Sequence, residues 1–128
     1  MSVERFLEKA IDNLHAAALL FDAGSPESVC NRAYYAMYNA ARAALMAIGE
    51  ERAAFSKTHS GLLSNFSLHI AKPSLVDAKW SGILAQEEKR RLLADYESEA
   101  IVLDDAKEAI GHTNEFVAAI VSFVSYRV

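Results

Sequence analysis

The residues best suited to chemistry lie between positions 31 and 42, where arginines, tyrosines and asparagines stand among alanines. At about 100° per residue, the alanines form one narrow strip of a helix and polar side chains form the next strip. The polar strip consists of Arg32, Tyr35, Asn39 and Arg42. Guanidinium groups bind phosphate, and tyrosines stack on bases or donate hydrogen bonds. The strip is therefore either a phosphate-binding groove or a hydrogen-bonding ladder between packed helices.

Two later segments carry groups that could join this strip. Lys57-Thr58-His59 precedes a predicted helix, whose free N–H groups attract anions, although Thr58 also fits a simple N-cap. Further along, Arg91 and Asp95 are four residues apart on a predicted helix, and Tyr96 follows. These three residues form either an ordinary surface ion pair or one wall of a shared cleft. The spacing is compatible with both interpretations.

Metal and cofactor chemistry has little support in the residue spacing. The histidines form no His-x-x-x-His or Glu-x-x-His pair, and no Cys-x-x-Cys pair occurs. They are His15, His59, His69 and His112. The glycines are scattered and form no phosphate-binding loop, and no serine nucleophile elbow is present. We therefore expect neither a metal ion nor a cofactor.

The composition is that of an ordinary globular protein. The 128 residues are 52% hydrophobic and 23% charged, and we expect a single domain over residues 1–128. A net charge of −4 argues against a general nucleic-acid coat but allows a local basic pocket. The single cysteine, Cys30, excludes an internal disulfide and fits a buried core position. With no signal peptide and no membrane-spanning run, we expect a soluble, cytoplasmic protein.

Apolar periodicity predicts helices almost everywhere. The expected helices cover residues 3–22, 26–48, 57–71, part of 75–95, and 104 to at least 124. Gly24 ends the first helix, and Ser25-Pro26 starts the second as N-cap and first-turn proline. We expect a charged loop at 50–56, a connection at 97–102, and a break or delayed start at Ser81-Gly82.

Short connections between these helices predict the architecture. Trp80 and the phenylalanines near the C-terminus are expected in the core. No strand-like alternation or internal repeat appears. The sequence therefore predicts an all-α fold, a four- to five-helix antiparallel up-and-down bundle.

Three separated signatures occur in the chain: Arg-Ala-Tyr-Tyr-Ala-Met at 32–37, His59-x-Gly61, and Arg91-x-x-x-Asp95-Tyr96 before a last long helix. Together they resemble the HEPN domain (higher eukaryotes and prokaryotes nucleotide-binding), in its stand-alone prokaryotic branch. The resemblance covers about residues 3–125. It implies a five-helix bundle that forms a homodimer. It also implies an operon partner, a minimal nucleotidyltransferase, in a toxin–antitoxin or defence module.

The chain departs from one feature of that family. Many HEPN proteins are metal-independent ribonucleases in which an arginine is followed four to six residues later by a histidine. After Arg90 and Arg91, positions 94–98 are Ala, Asp, Tyr, Glu and Ser. A carboxylate or a phenol is not poised for proton transfer at neutral pH as imidazole is. Because the histidine of the motif is missing, we expect weak catalysis or none. His59 could approach the cleft from another helix and supply an imidazole.

The favoured hypothesis is a subunit that binds nucleotide or RNA phosphate and pairs with the nucleotidyltransferase. Three arginines would contact phosphate: Arg32, Arg42 and Arg91. Three tyrosines would stack or donate hydrogen bonds: Tyr35, Tyr38 and Tyr96. Asp95 would orient an arginine, and the resemblance implies that the partner adds AMP to a tyrosine, for which Tyr96 is the nearest candidate.

Two alternatives stay open. One is a ribonuclease toxin with an altered motif, whose candidate catalytic residues are Arg91, Asp95, Tyr96 and His59. The other is a structural dimerisation module in which the polar strip belongs to the interface. Binding, cleavage and oligomeric state separate these hypotheses.

Overall fold

Six helices make up most of the chain in the computed structural model, which describes residues 2–97 and 100–127. They are α1 (Val3–Asp22), α2 (Pro26–Ala47), α3 (Glu51–Ala54), α4 (His59–Phe66), α5 (Lys79–Tyr96) and α6 (Leu103–Arg127). One turn of π-helix, Ser67–Ala71, continues α4. No strand occurs in the described ranges, so the predicted all-α bundle is confirmed. Four of the helices have 18 residues or more, α4 has eight, and α3 is an added helix of four residues.

Helix α2 lies at the centre of the bundle and contacts every other helix. Its small side chains make this possible, because alanines allow neighbouring helices to approach closely. The fully buried alanines of α2 are Ala33, Ala36, Ala40, Ala41, Ala43 and Ala44. The polar strip predicted beside them therefore lies next to helices on both sides. The position of α2 decides which other residues its tyrosines meet.

Local signals explain where the first two helices begin and end. The Ser2 hydroxyl accepts a hydrogen bond from the Arg5 amide at 3.1 Å and caps α1. Gly24, with φ of +74°, follows α1 in the left-handed region that glycine adopts without strain. Pro26 occupies the first turn of α2 as predicted, but the Ser25 side chain makes no capping hydrogen bond. Ser25 thus precedes the helix without capping it through its hydroxyl.

Three predicted boundaries were wrong. The expected loop at 50–56 contains α3, because Ala53 and Ala54 are buried against the core. Helix α4 begins at His59 rather than at residue 57. Helix α5 begins at Lys79, whose amide donates to Asp77 Oδ1 at 2.9 Å. It runs unbroken through Ser81-Gly82, where a break or delayed start was expected. The predicted connection at 97–102 includes Ser98 and Glu99, which lie outside the described residues.

The core confirms two predictions. Trp80 is 4% exposed and lies 5.4 Å from the ring of Phe116, measured between ring centroids. Cys30 is also buried, and burial raises the pKa of its thiol to about 11, so it stays protonated at neutral pH.

Across the described part of the chain, none of the helices combines the length and apolar character needed to cross a membrane.

Candidate functional site

Aromatic and charged side chains from α2, α4 and α5 meet in one place. We call this group the His59–Arg91 cluster; it consists of Tyr34, Tyr35, Tyr38, His59, Glu88 and Arg91. Tyr34 is fully buried, and the other members are partly buried. The His59 ring lies 4.7 Å from Tyr38, 5.6 Å from Tyr34 and 5.8 Å from Tyr35, between centroids. Three tyrosine rings therefore surround one imidazole.

The start of α4 holds His59 in position. Thr58 is the N-cap as predicted, and its hydroxyl accepts from the Gly61 amide at 3.0 Å. A Cβ at position 61 would lie only 2.8 Å from Thr58 Oγ1, so the cap needs glycine there. Ser56 adds a second anchor, since its hydroxyl accepts from Asn65 Nδ2 at 2.7 Å. The His59-x-Gly61 signature thus fixes the helix turn that carries the imidazole.

A hydrogen-bonded chain connects His59 to a carboxylate through Tyr34. The Tyr34 hydroxyl lies 2.9 Å from His59 Nδ1 and donates to Glu88 Oε2 at 3.3 Å. Because an ionised carboxylate only accepts, the hydroxyl proton points to Glu88 and the imidazole Nδ1–H donates to the phenolic oxygen. In this tautomer Nε2 is unprotonated, and it makes no hydrogen bond within the described residues. His59 therefore has a free basic nitrogen.

The surroundings of His59 and Tyr34 keep both side chains uncharged. Burial, reinforced by the Arg91 charge, lowers the pKa of His59 below its usual 6.5. Burial and the neighbouring Glu88 raise the pKa of Tyr34, so its phenol stays protonated. At neutral pH the site therefore contains an uncharged imidazole beside a charged guanidinium. Such an imidazole is suited to accept a proton.

Arg91 supplies the positive charge of the site. Its Cζ lies 5.1 Å from the Tyr34 ring centroid and 5.8 Å from that of Tyr35, so the guanidinium is close to two aromatic rings. Nη1 lies 3.2 Å from Asp95 Oδ2, as the four-residue spacing predicted. Nε is buried and has no hydrogen-bond partner among the described residues. Nη2 also makes no hydrogen bond within the described residues and is not buried, so Arg91 retains a donor that a ligand can reach.

Two predicted phosphate-binding residues lie at different distances from this cluster. Arg42 donates to Ala54 O and to the Tyr38 hydroxyl, each at 2.8 Å, and its Cζ lies 4.6 Å from the Tyr38 ring. These contacts tie α2 to α3 and give Arg42 a structural role behind Tyr38. Arg32 is exposed, and its Nη1 donates to Asn13 Oδ1 of α1 at 3.3 Å. Arg32 thus lies outside the cluster, and its phosphate contact stays a prediction.

Tyr96 and Asn39 lie outside the His59–Arg91 cluster. Tyr96 is 83% exposed at the end of α5 and makes no hydrogen bond or aromatic contact within the described residues. Asn39 is only 8% exposed, and its Nδ2 donates to the Tyr35 carbonyl at 2.9 Å. The structure therefore brings Tyr35, His59 and Arg91 together and leaves Tyr96 apart.

Tyr34 and Glu88 are the members that sequence reasoning missed. Tyr34 lies on the buried side of α2, where periodicity assigns a core role. Its hydroxyl is the only polar atom of that side chain, and a buried hydroxyl needs a partner. The spacing of Glu88 and Arg91, three residues apart on a helix, was a visible signal for a shared face.

A second charged group lies on the next face of α5. We call it the Glu87–His112 cluster; it consists of Glu87, Arg90, Glu108 and His112. The glutamate oxygens and the His112 nitrogen lie within 4.8 Å of one another, a spacing that a metal ion could use. However, Arg90 forms ion pairs with both glutamates, so a cation would have to displace it. These contacts give the cluster a structural role.

Residues 3–123 match the model of the HEPN domain family. The chain belongs to the HEPN family. The resemblance based on the three sequence signatures is thereby confirmed, and the all-helical bundle is consistent with it.

Several curated proteins are similar to this HEPN chain. A UPF0332 protein of Gloeobacter violaceus is 34% identical over 90 residues, 70% of this chain and 68% of that protein. "Putative toxin MJ0605" of Methanocaldococcus jannaschii is 26% identical over 115 residues, 90% of this chain and 83% of that protein. A UPF0332 protein of Pyrococcus horikoshii is 29% identical over 82 residues, 64% of this chain and 55% of that protein.

Proposed function

We propose that this HEPN chain is a toxin-type subunit that binds an RNA or nucleotide phosphate at the His59–Arg91 cluster. The observation that carries the proposal is the state of Arg91, whose side chain is 12% exposed and whose one hydrogen bond, from Nη1 to Asp95, leaves Nη2 without a partner among the described residues. A phosphate oxygen is the acceptor that a guanidinium prefers. The similarity to a protein named a putative toxin and the family membership support the same class of function.

The proposed binding mode follows from the surroundings of Arg91. The rings of Tyr34 and Tyr35 restrict the guanidinium, so little side-chain entropy remains to be lost on binding. Asp95, with a side chain 40% exposed, holds Nη1 from the outer side. A bound phosphate takes the remaining donors of Arg91, and the partly buried site strengthens this interaction relative to bulk water.

A second candidate function is metal-independent RNA cleavage, which the free Nε2 of His59 favours. In this reaction Nε2 accepts the proton of a ribose 2′-hydroxyl, and the 2′-oxygen attacks the adjacent phosphorus. The bond from phosphorus to the 5′-oxygen of the next nucleotide breaks, and that oxygen receives the proton from the imidazolium. The products are a 2′,3′-cyclic phosphate and a 5′-hydroxyl. Arg91 stabilises the negative charge that develops on the phosphoryl oxygens. His59 would thus replace the histidine missing after Arg91.

The proposal includes the partners expected of a stand-alone HEPN protein, a second copy of the chain and a minimal nucleotidyltransferase. Tyr96, which is 83% exposed at the end of α5, is the proposed acceptor of AMP. Its phenolic oxygen attacks the α-phosphorus of ATP, the substrate of the nucleotidyltransferase, the phenol loses its proton, and pyrophosphate leaves. Co-expression with an adjacent nucleotidyltransferase gene tests this point. Mass spectrometry should then find one added AMP per chain, absent from Tyr96→Phe. An unmodified chain that does not co-purify with the enzyme would contradict the partnership.

Binding of a labelled single-stranded RNA tests the central proposal. Arg91→Gln should weaken binding about tenfold or more and reduce the slope of log affinity against log salt by about 1. Arg52→Gln, which removes the same charge from the exposed end of α3, is the matched control and should change binding little. Equal weakening by both variants would contradict a specific site at Arg91.

His59→Gln separates binding from cleavage. RNA affinity should be retained, while any metal-free cleavage should fall by about 10²–10⁴-fold. Absence of cleavage by the wild-type protein at high concentration would leave the binding role alone. If instead Arg91→Gln changed the oligomeric state without changing RNA affinity, the structural dimerisation module would be the better description.

A further inference from the structure

A polar cleft runs between α1 and α2 beside the His59–Arg91 cluster. Its volume is about 510 Å³, and its lining includes Asp12, Asn13, Arg32, Tyr35 and Asn39. Tyr35 also belongs to the cluster, where its ring centroid lies 5.8 Å from the Arg91 Cζ and 5.8 Å from the His59 ring. The cleft and the proposed phosphate site therefore share one wall. A molecule that spans both would place two different groups on the two sides of Tyr35.

The hydrogen-bonding groups of the cleft are only partly used by the protein. Asn39 Nδ2 donates to the Tyr35 carbonyl, which leaves Asn39 Oδ1 as an acceptor with no partner among the described residues. Both polar atoms of the Asn13 amide make one bond, since Nδ2 donates to Lys9 O at 2.9 Å and Oδ1 accepts from Arg32 at 3.3 Å. That bond uses one donor of Arg32 and leaves the other guanidinium donors for a ligand.

The unused groups have a definite pattern. Arg32 offers a fork of donors, while Asn39 Oδ1 and the exposed Asp12 carboxylate offer acceptors. Among the four RNA bases, guanine presents two acceptors, O6 and N7, that suit an arginine fork. It also presents two donors, N1–H and the N2 amino group, that suit acceptor oxygens. The phenol ring of Tyr35 supplies an aromatic surface on which a base can stack.

We propose that the α1–α2 cleft binds the guanine base of the nucleotide whose phosphate Arg91 holds. This inference rests on the phosphate site proposed above and adds base selectivity to it. Arg32 contacts the O6/N7 edge, Asp12 and Asn39 accept from the N1/N2 edge, and Tyr35 packs against the base. The arginine strip of α2 is then divided between two tasks, since Arg32 reads the base and Arg42 holds the fold.

Calorimetric titration with the 5′-monophosphates of guanosine, adenosine, cytidine and uridine tests the inference. The guanine nucleotide should bind about tenfold or more tightly than the other three. Arg32→Gln and Asp12→Asn should each remove most of this preference, while Arg52→Gln keeps it. Both altered side chains are exposed, so these variants are expected to fold, which circular dichroism checks.

Two further titrations distinguish the two sites. One uses guanosine, which has no phosphate, and the other uses inorganic phosphate. If the four nucleotides bind equally but Arg91→Gln abolishes binding, the base site is refuted and the phosphate site stands. If guanosine and its monophosphate bind equally well, the phosphate site is refuted and the base site stands. If no nucleotide binds and Arg32→Gln changes the oligomeric state, the cleft is an interface between two copies and the inference is overturned.

Discussion

Two histidine-containing clusters lie on neighbouring faces of α5, and both are built from a glutamate followed three residues later by an arginine. The two pairs are Glu87–Arg90 and Glu88–Arg91. His112 of α6 completes the first cluster, and His59 of α4 completes the second. Each cluster therefore contains a glutamate, an arginine and a histidine, yet the hydrogen bonding of these three residues differs.

In the Glu87–His112 cluster the charged groups pair with one another. Glu87 Oε2 lies 2.6 Å from His112 Nδ1 and 3.5 Å from Arg90 Nη1. Arg90 also donates to Asp105 O at 2.7 Å and to Glu108. Glu87 is only 1% exposed, so its charge depends on these partners. This cluster has little capacity left for a ligand.

In the His59–Arg91 cluster a tyrosine separates the histidine from the carboxylate. The Tyr34 hydroxyl uses Nδ1 of His59 and leaves Nε2 free, and the aromatic rings occupy the space beside Arg91. Its Nε consequently lacks a protein partner. Direct pairing thus satisfies a charged cluster, whereas an inserted phenol keeps an imidazole and a guanidinium available for chemistry.

The largest effect is expected when an ion pair of the Glu87–His112 cluster is removed. Arg90→Met should lower the free energy of unfolding by about 3 kcal/mol or more, because it leaves the buried Glu87 without its guanidinium partner. Arg91→Met should cost about 1 kcal/mol or less, since its ion pair with Asp95 is partly exposed. Urea denaturation measures both. Only Arg91→Met should weaken RNA binding. A larger loss of stability in Arg91→Met, or weaker RNA binding by Arg90→Met alone, would contradict the different roles of the two clusters.

An intermediate effect is expected at the start of α4. Thr58→Ala removes the hydroxyl that caps Gly61 N and should cost about 1 kcal/mol of stability. Because His59 follows directly, its imidazole NMR signals should shift, while those of His112 stay in place. Unchanged His59 signals would show that the cap does not position the imidazole. Ser64→Ala, at an exposed serine further along α4, is the control.

The two clusters should also respond to pH with opposite signs. The pKa of His59 is lowered from 6.5 by burial and by Arg91, so the folded state binds fewer protons than the unfolded state between the two values. The stability that depends on His59 is therefore complete above pH 6.5 and is lost as pH falls through the lower pKa.

The carboxyl of Glu87 behaves the other way. Burial raises its pKa above 4.5 despite the opposing effects of His112 and Arg90, so stability falls as pH rises through the interval above 4.5. Unfolding measured at several pH values should show an acid loss that His59→Gln removes, and a separate decline that Glu87→Gln removes. Equal slopes of unfolding free energy against pH in the two variants would refute this distinction.

The smallest expected effect concerns the outer side of Arg91. Asp95→Asn weakens an ion pair whose carboxylate side chain is 40% exposed, so stability should change by only about 0.2–1 kcal/mol. RNA affinity should stay equal or increase slightly, because a negative charge is removed beside the phosphate site. A large loss of affinity would mean that Asp95 orients the guanidinium, which would sharpen its role from neighbour to positioning residue.

Much of the fold could be predicted because its signals are local. Helix periodicity located α1, α2, α4, α5 and α6, and capping residues located several of their ends. The errors fell where tertiary contacts override weak signals. The short helix α3 forms because Ala53 and Ala54 are buried, and Gly82 is tolerated within α5 because packing stabilises the helix around it.

The candidate site could be predicted in part. Tyr35, His59 and Arg91 were recognisable from residue type, and the structure brings them together. Tyr34 could not be singled out, because a buried tyrosine on an apolar strip resembles core packing until its hydroxyl partners are known. Arg42 was indistinguishable from Arg32 in sequence, although its donors are used by Ala54 and Tyr38.

The sequence by itself determined the helices, the small-residue face of α2 and the capped turn that carries His59, since these depend on residues within a few positions of one another. Only the tertiary structure decided which Glu–Arg pair meets which histidine. Adjacent positions on a helix point about 100° apart, so the rotation of α5 about its axis separates the two clusters. Buried residues such as Leu84 and Ala94 set that rotation through contacts with distant helices.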